Sequence, residues 1–475
     1  VVGYTVPGFD DLSLRQKTLL YYLSEAAYSG RDILWDQNYR HNLRIRRTLE
    51  AIVTHYRGDR DTAQFQQLMT YARQVWFANG IHHHDTLVKL KPGFNSDALR
   101  EWVLSVADSG ALPLRNGQTA ASLSDELTPI LFDPAIAARR VTTSAQADRV
   151  AGSAVNYYEG VSEAEALAFS AAGAGRDDST PVSRGLNSRL VKRSDGTIEE
   201  QVWRVGGLYT QALERIVHWL ELAKGVAGTP QQRRSLEQLV RFYRSGDLRD
   251  FDQYSIAWVQ DLDARIDVIN GFIEVHNDPL GLRGAWQSVV SFRDEPATRR
   301  IAAIAEQAQW FENNLPVMQA QKRARVRVNP GRAVTVVALS GDASPVAPRG
   351  INLPNASWIR ENYGAKSISL NNIRAAYDTE SPAVLEEFAW GRAEMDRARN
   401  VGALADALHA ELHELIGHAS GHVHTGMGTP AQTLTQFAPI VEEARADLVA
   451  LYFLLDQEMV NRGLMPDLDT GRAAY

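Results

Sequence analysis

The sequence predicts a mainly α-helical chain interrupted by one small β element. Three observations carry that expectation: amphipathic stretches dominate the first 260 residues, a valine-rich alternating stretch follows, and two further helical stretches hold most of the chemistry. Residues 11–29, 42–56, 62–77 and 201–223 each repeat apolar side chains at helical spacing. Gly- and Ser-containing stretches at 171–180 and 193–197 break that pattern. His82, His83 and His84 are consecutive, so on any regular element they point in different directions, and they are read as lining a loop or cleft. Residues 323–339 alternate and are rich in valine, a strand-turn-strand signal centred on Asn329-Pro330-Gly331. Helices follow over 381–420 and 437–464, the second with Ile440, Val441, Ala444, Leu448, Leu451 and Leu455 in a stripe of helical period.

Composition narrows the function. The chain has 475 residues, of which 44% are hydrophobic and 23% charged, ordinary usage for two or three domains or one large bilobal enzyme. Its net charge of −7 leaves no basic excess for nucleic acid. No apolar run approaches the roughly 20 residues of a membrane span. There is no cysteine, which excludes disulfides, thiol catalysis and cysteine-ligated metal and suits an exported protein or a cytosolic one alike.

The most specific stretch is His413-Glu414-Leu415-Ile416-Gly417-His418. In the common H-E-x-x-H motif the histidines lie four apart, about 40° around the helix, and both reach one metal. Here they lie five apart, which at about 100° per residue turns the second roughly 140° from the first. A regular helix would separate them, so a π-bulge between Glu414 and His418 is expected, with Gly417 the residue that best tolerates unusual backbone angles. His409, His422 and His424 lie close by in sequence. The downstream helix carries Glu442, Glu443 and Asp447. Glu443 and Asp447 are four apart and share a face, so one can ligate a metal while the other orients a histidine. Two histidines and one carboxylate with an open fourth position are the donor set of catalytic zinc.

The pair H-E-L-I-G-H and E-E-A-R-A-D resembles the paired motifs of the dipeptidyl peptidase III family of zinc exopeptidases. Gly350-Ile351-Asn352-Leu353-Pro354-Asn355 resembles a third motif of that family, and Gly271-Phe272-Ile273-Glu274 with Asp278-Pro279 and Arg283-Gly284 a fourth. The resemblance implies that His413, His418 and Glu443 hold one Zn2+ per chain, that Glu414 is the general base and that Asp447 lies behind the ligands. It implies that Asn352 and Asn355 hold the N-terminal part of a peptide and that Glu274 receives its free ammonium. It also implies a fold that is mainly α with a small β-barrel and bilobal. Residues 1–296 and 336–382 would form a mixed α/β lower lobe, facing across a wide cleft an upper helical zinc lobe of residues 297–335 and 383–475.

Departures from the family pattern qualify these expectations. His276 stands where the family has a tyrosine able to bond the oxyanion, and Gln287 where an acidic residue is expected near the ammonium site. Ala444 replaces a cysteine and Asp447 a glutamate. The family continues well past the position of Tyr475 and adds a histidine and an arginine to the site, so a fragment is expected, completed by a C-terminal part or a second chain. The function expected is removal of dipeptides from short peptides with a free N-terminus. The alternatives are a zinc peptidase of altered specificity and a non-catalytic zinc protein that binds peptides.

Overall fold

The computed structural model describes residues 3–142, 147–172, 180–326, 331–378, 382–422, 433–434 and 438–475. Helices form where the periodicity places them. Helix Leu14–Ser29 begins at a capping box in which Ser13 and Gln16 satisfy each other's backbone N–H groups, and Thr62 caps helix Ala63–Phe77. Helix Asn42–His55 follows its expected span closely.

The stretch 201–223 divides differently from the expectation. Gln201 and Val202 close a strand, and the helix runs only over Thr210–Gly225. The reason is pairing: β1 (Tyr158–Glu159), β2 (Ser188–Lys192) and β3 (Ile198–Val202) form a small sheet in which Gln201 lies opposite Arg189. Residues 173–179 of the break expected at 171–180 lie outside the described residues.

The main sheet contains β4 (Ile266–Glu274), β5 (Ala285–Arg293), β6 (Arg332–Gly341), β7 (Gly350–Leu353) and β8 (Lys366–Leu370), in the order β4-β5-β6-β8-β7. All neighbours are antiparallel except β6 and β8. The sheet curls into a half-barrel, with β4 and β7 as its two edges among the described residues, where the resemblance implied a small barrel. The strand-turn-strand signal at 323–339 yields one strand, β6, and Arg323 to Val326 are not a strand. Asn329 and Pro330 lie outside the described residues. The partners of β6 come from distant segments, β5 on one side and β8 on the other, which no local alternation can announce.

Among the described residues, three large apolar cores and one small cluster around Val161, Ala166 and Leu190 hold the chain. One joins β4, β5, β6 and β8 to helices Leu14–Ser29, Thr210–Gly225, Pro230–Ser245 and Leu248–Gln260. A second packs the helices between Asn42 and Phe132. The third packs Glu295–Glu306, Ala308–Asn313, Arg392–Leu412 and Ala438–Leu454 around Phe311 and Phe453, whose fully buried rings meet edge to face at 4.8 Å. Truncating either ring to alanine would cost about 3–5 kcal/mol.

The expected helix at 381–420 is two helices, Pro382–Phe388 and Arg392–Leu412, the second continuing into a π-turn. The helix expected at 437–464 runs over Ala438–Leu454 and is followed by Gln457–Asn461. A core-facing helix buries its apolar stripe, but here Ile440, Val441, Leu448 and Leu455 are exposed, while Ala446, Ala450, Phe453 and Leu454 are buried. Ala446 faces inward where the helix approaches the π-turn closely, while Phe453 and Leu454 near its end fill the core. No described helix is long and apolar enough to cross a membrane.

Candidate functional site

The five residues His413–Gly417 form a π-turn, and the His418 N–H donates to the His413 carbonyl at 3.0 Å, the bond that absorbs one extra residue. Gly417 is required for a different reason from the one expected. Its backbone is not left-handed, but a Cβ there would lie 2.7 Å from both Cα and Cβ of Ala446. The glycine lets the π-turn and helix Ala438–Leu454 touch, and that contact sets Glu443 beside the histidines.

The two rings stand perpendicular with centroids 4.7 Å apart. His413 Nε2 is 3.2 Å and His418 Nε2 3.8 Å from the same oxygen of Glu443. Four donors at about 2 Å from a tetrahedral ion lie about 3.3 Å from one another, so this spacing fits one zinc-sized cation. The outer nitrogens are held as well. His413 Nδ1 donates to Asp447 at 2.8 Å and His418 Nδ1 to Glu442 at 2.9 Å, which turns the Nε2 lone pairs towards the shared space. Arg445 forks onto both oxygens of Glu442 and reaches the Gly417 carbonyl at 2.8 Å. That guanidinium holds the Glu442 carboxyl below the usual carboxylate range, so Glu442 remains an acceptor.

Sequence reasoning placed Glu442 on the right helix but assigned it no task. The Glu442-Arg445 spacing of three was the available signal. Behind the turn, Arg300 forks onto Glu411 at 2.8 and 2.6 Å, tying helix Glu295–Glu306 to the residues that lead into His413. Burial raises the Glu411 carboxyl, and only this arginine offsets it at hydrogen-bond distance.

Glu414 is exposed and lines a cavity with His413, His418 and Asp447. The lining of that cavity also includes Gly350, Ile351 and Asn352 of β7. The same three residues border a second cavity that contains Glu274, His276, Gln287 and Asp342. Asn355 lines a third cavity with Glu274, Phe251, Tyr254 and Trp258, and donates from Nδ2 to Glu274 at 3.4 Å. The structure therefore brings His413, His418, Glu443, Glu414 and Asp447 together at one end and Glu274, Asn355, Gln287 and His276 at the other, with Asn352 between. His276 lies at the Glu274 end, paired with Asp342, and not in the cavity of the two metal-facing histidines.

His83, His84 and Asp85 also bring donor atoms within 4.8 Å of one another. That set is poorer. The imidazoles of His83 and His84 are stacked at 21°, and His83 Nδ1 already accepts the N–H groups of Asp85 and Thr86. His84 and Asp85 line the Glu274 cavity, in keeping with the cleft-lining reading, while His82 is buried and bonds the Ala137 carbonyl. His424 lies outside the described residues.

A two-histidine, one-carboxylate centre on a π-turn, set in a mainly helical fold, defines the class of a candidate metallohydrolase. The model of the family described as Peptidase family M49 matches residues 183–429, more than half of the chain, and the chain belongs to that family. The dipeptidyl peptidase 3 of Dictyostelium discoideum is 27% identical over 221 residues, 46% of this chain and 31% of that protein. That of Homo sapiens is 28% identical over 224 residues, 45% of this chain and 28% of that protein. The match thus spans about a third of the length of these curated relatives. Among solved structures, the DPP III of Caldithrix abyssi superposes with a TM-score of 0.72 at 20% identity, covering 98% of this chain and 75% of that one. The dipeptidyl-peptidase III of Corallococcus sp. strain EGB gives 0.63 at 21% identity over 100% and 75% of the two chains. At such identities these two likenesses show the shared fold.

Proposed function

We propose that this chain carries out zinc-dependent removal of dipeptides from the free N-termini of short peptides. One observation carries the reading: the metal-facing group and the Glu274 cavity share strand β7 as a wall, so a peptide laid along β7 reaches both. Among the described strands β7 is an edge, paired only with β8, and that edge can take an extended peptide by backbone hydrogen bonds that are indifferent to sequence.

His413, His418 and Glu443 would hold the zinc, which when bound supplies a Lewis acid that lowers the pKa of water and polarises a carbonyl. Glu414, adjoining His413 and facing the same cavity, takes a proton from the attacking water and returns it to the leaving amine. Asp447 and Glu442 fix the two imidazoles in the tautomers that leave Nε2 free. Glu274 offers its carboxylate to the α-ammonium, with Asn352 and Asn355 beside it, so the distance from anchor to Glu414 counts residues from the N-terminus.

The similarity to the dipeptidyl peptidase 3 relatives supports the same reading. A dipeptidyl-arylamide assay with and without chelator tests it: release should depend on zinc and vanish when the peptide is N-acetylated. Equal cleavage of acetylated peptide would refute the anchor, and tight zinc and peptide binding without release would favour a non-catalytic binding protein.

A further inference from the structure

Gln287 stands where the family resemblance implies an acidic residue, and the structure supplies a carboxylate to the same cavity from just past the end of the neighbouring strand. Gln287 on β5 lies opposite Gly341 on β6, and Asp342 follows that glycine directly. Gly341 is left-handed at φ +63°, and any side chain there would meet the Trp286 carbonyl. The turn it permits sends the Asp342 N–H onto that same carbonyl at 3.0 Å and carries the Asp342 side chain into the cavity of Glu274. Asn277 Nδ2 bonds one Asp342 oxygen at 2.7 Å, while His276 Nε2 lies 3.2 Å from the other. The carboxylate is therefore fixed by an amide on one side and shared with a titratable ring on the other.

Resting on the peptidase reading above, we propose that Asp342 joins Glu274 in receiving the substrate's α-ammonium, and that His276 gates it. As an imidazolium, His276 occupies the Asp342 oxygen that the ammonium needs. As a neutral ring it releases that oxygen, and because its side chain is 65% exposed it is free to swing away.

The charged neighbours set the direction. Arg140 reaches Asn277 at 3.2 Å, which places a fixed positive charge behind the amide. His84, paired with Asp85 at 3.2 Å, lines the same cavity, and the buried Tyr157, which feels Asp342, has its hydroxyl held neutral. Glu274 and Asp342 line the same cavity. The hydrogen bond to Asp342 raises the His276 pKa above the ordinary histidine value, and burial raises that of Glu274. With His276 protonated, one of the two carboxylates facing the ligand is neutralised. As pH rises through the raised His276 value the site gains a full negative charge, so affinity for a protonated N-terminus increases until the peptide's own amine, near 7.7–8.0, loses its proton.

The test is calorimetric binding of one tetrapeptide, unblocked and N-acetylated, to the zinc-loaded Glu414→Gln protein between pH 5.5 and 8. The parent should prefer the unblocked peptide and bind it more tightly as pH rises. Asp342→Asn, which keeps an acceptor for Asn277, should weaken the unblocked peptide about tenfold at pH 7.5 and flatten the pH dependence, leaving the acetylated peptide unaffected. Adding Gln287→Glu to that variant should restore affinity without restoring the pH dependence, and His276→Gln should give tight binding already at pH 6. If the parent does not distinguish the two peptides, the N-terminal anchor itself fails and this proposal with it. If the parent distinguishes them but Asp342→Asn keeps parental affinity and pH profile, the peptidase reading stands and the role of Asp342 is overturned.

Discussion

Gly417→Ala should separate the metal ligands without touching any of them. The added Cβ would sit 2.7 Å from Cα and Cβ of Ala446 and 2.9 Å from its carbonyl oxygen. Carbon atoms in contact need about 3.5–4.0 Å, so the π-turn and helix Ala438–Leu454 must part by roughly 1 Å. Both contact atoms at the shortest distance belong to a helix held at its far end by Phe453, so a flexible tip cannot absorb the shift. Glu443 rides on that helix and the histidines on the turn. A displacement of about 1 Å is several times the ±0.2 Å that ligand distances tolerate. Losing one supporting contact behind a metal ligand typically costs about 10–100-fold in affinity, and moving the ligand should cost at least that much. Overpacking adds a stability loss of about 1–3 kcal/mol. Zinc affinity is measured by competition with a fluorescent chelator, and stability by thermal melting with and without zinc. A variant that melts lower yet binds zinc with parental affinity would refute the coupling between this contact and the site.

Glu442→Gln should lower zinc affinity about 10–100-fold by loosening His418, and unchanged competition curves would dismiss Glu442 as a positioning residue. Glu414→Gln should abolish dipeptide release while zinc stoichiometry, read by atomic absorption, stays at one per chain; surviving release would show that Glu414 is not the base. Arg300→Ala leaves the Glu411 side chain buried at 4% exposure without its partner, so denaturant unfolding should show a loss of about 3–5 kcal/mol, and a loss below about 1 kcal/mol would contradict that pairing. Chelation should lower the melting temperature, because zinc at about a thousand times its dissociation constant adds roughly 4 kcal/mol to the native state; a melting temperature indifferent to zinc would argue against a site formed only on folding.

How much of this was legible depended on whether the deciding contacts were local. Five-residue spacing at His413 and His418 forced a distortion on helical geometry alone, and the π-turn is there. The need for Gly417 was also readable, but its cause was not, since the clash is with Ala446 on another helix. Likewise the apolar stripe announced helix Ala438–Leu454 but not which of its faces packs inward. Periodicity reports that one face is apolar, and only packing against the rest of the chain decides that Ala446 and Ala450 face inward and Leu448 outward. β6 was visible as alternating valines, whereas its partners β5 and β8 depend on chain crossings that leave no mark in residues 323–339.

Motif matching compares positions along one strand, whereas a charge in a cavity acts through space. Gln287 looked like a missing acid because the comparison ended at its own position. Across one rung of the sheet the chain turns at Gly341 and delivers Asp342 into the same cavity, at a residue that belongs to no recognised motif. The nearby departure, His276, then ceases to be independent, since its ring lies 3.2 Å from that carboxylate. A lone carboxylate moved into the Glu274 cavity would raise the cost of keeping both acids ionised, and the paired imidazole offsets that cost when no peptide is bound. On the proposal above the two positions act together: Asp342 supplies the carboxylate, and His276 holds it until an ammonium replaces the ring. It follows that Asp342→Asn and His276→Gln should not add: in the Asp342→Asn background, His276→Gln should change peptide affinity by less than about twofold at pH 6. Independent, additive effects at that pH would show that the two substitutions are unrelated.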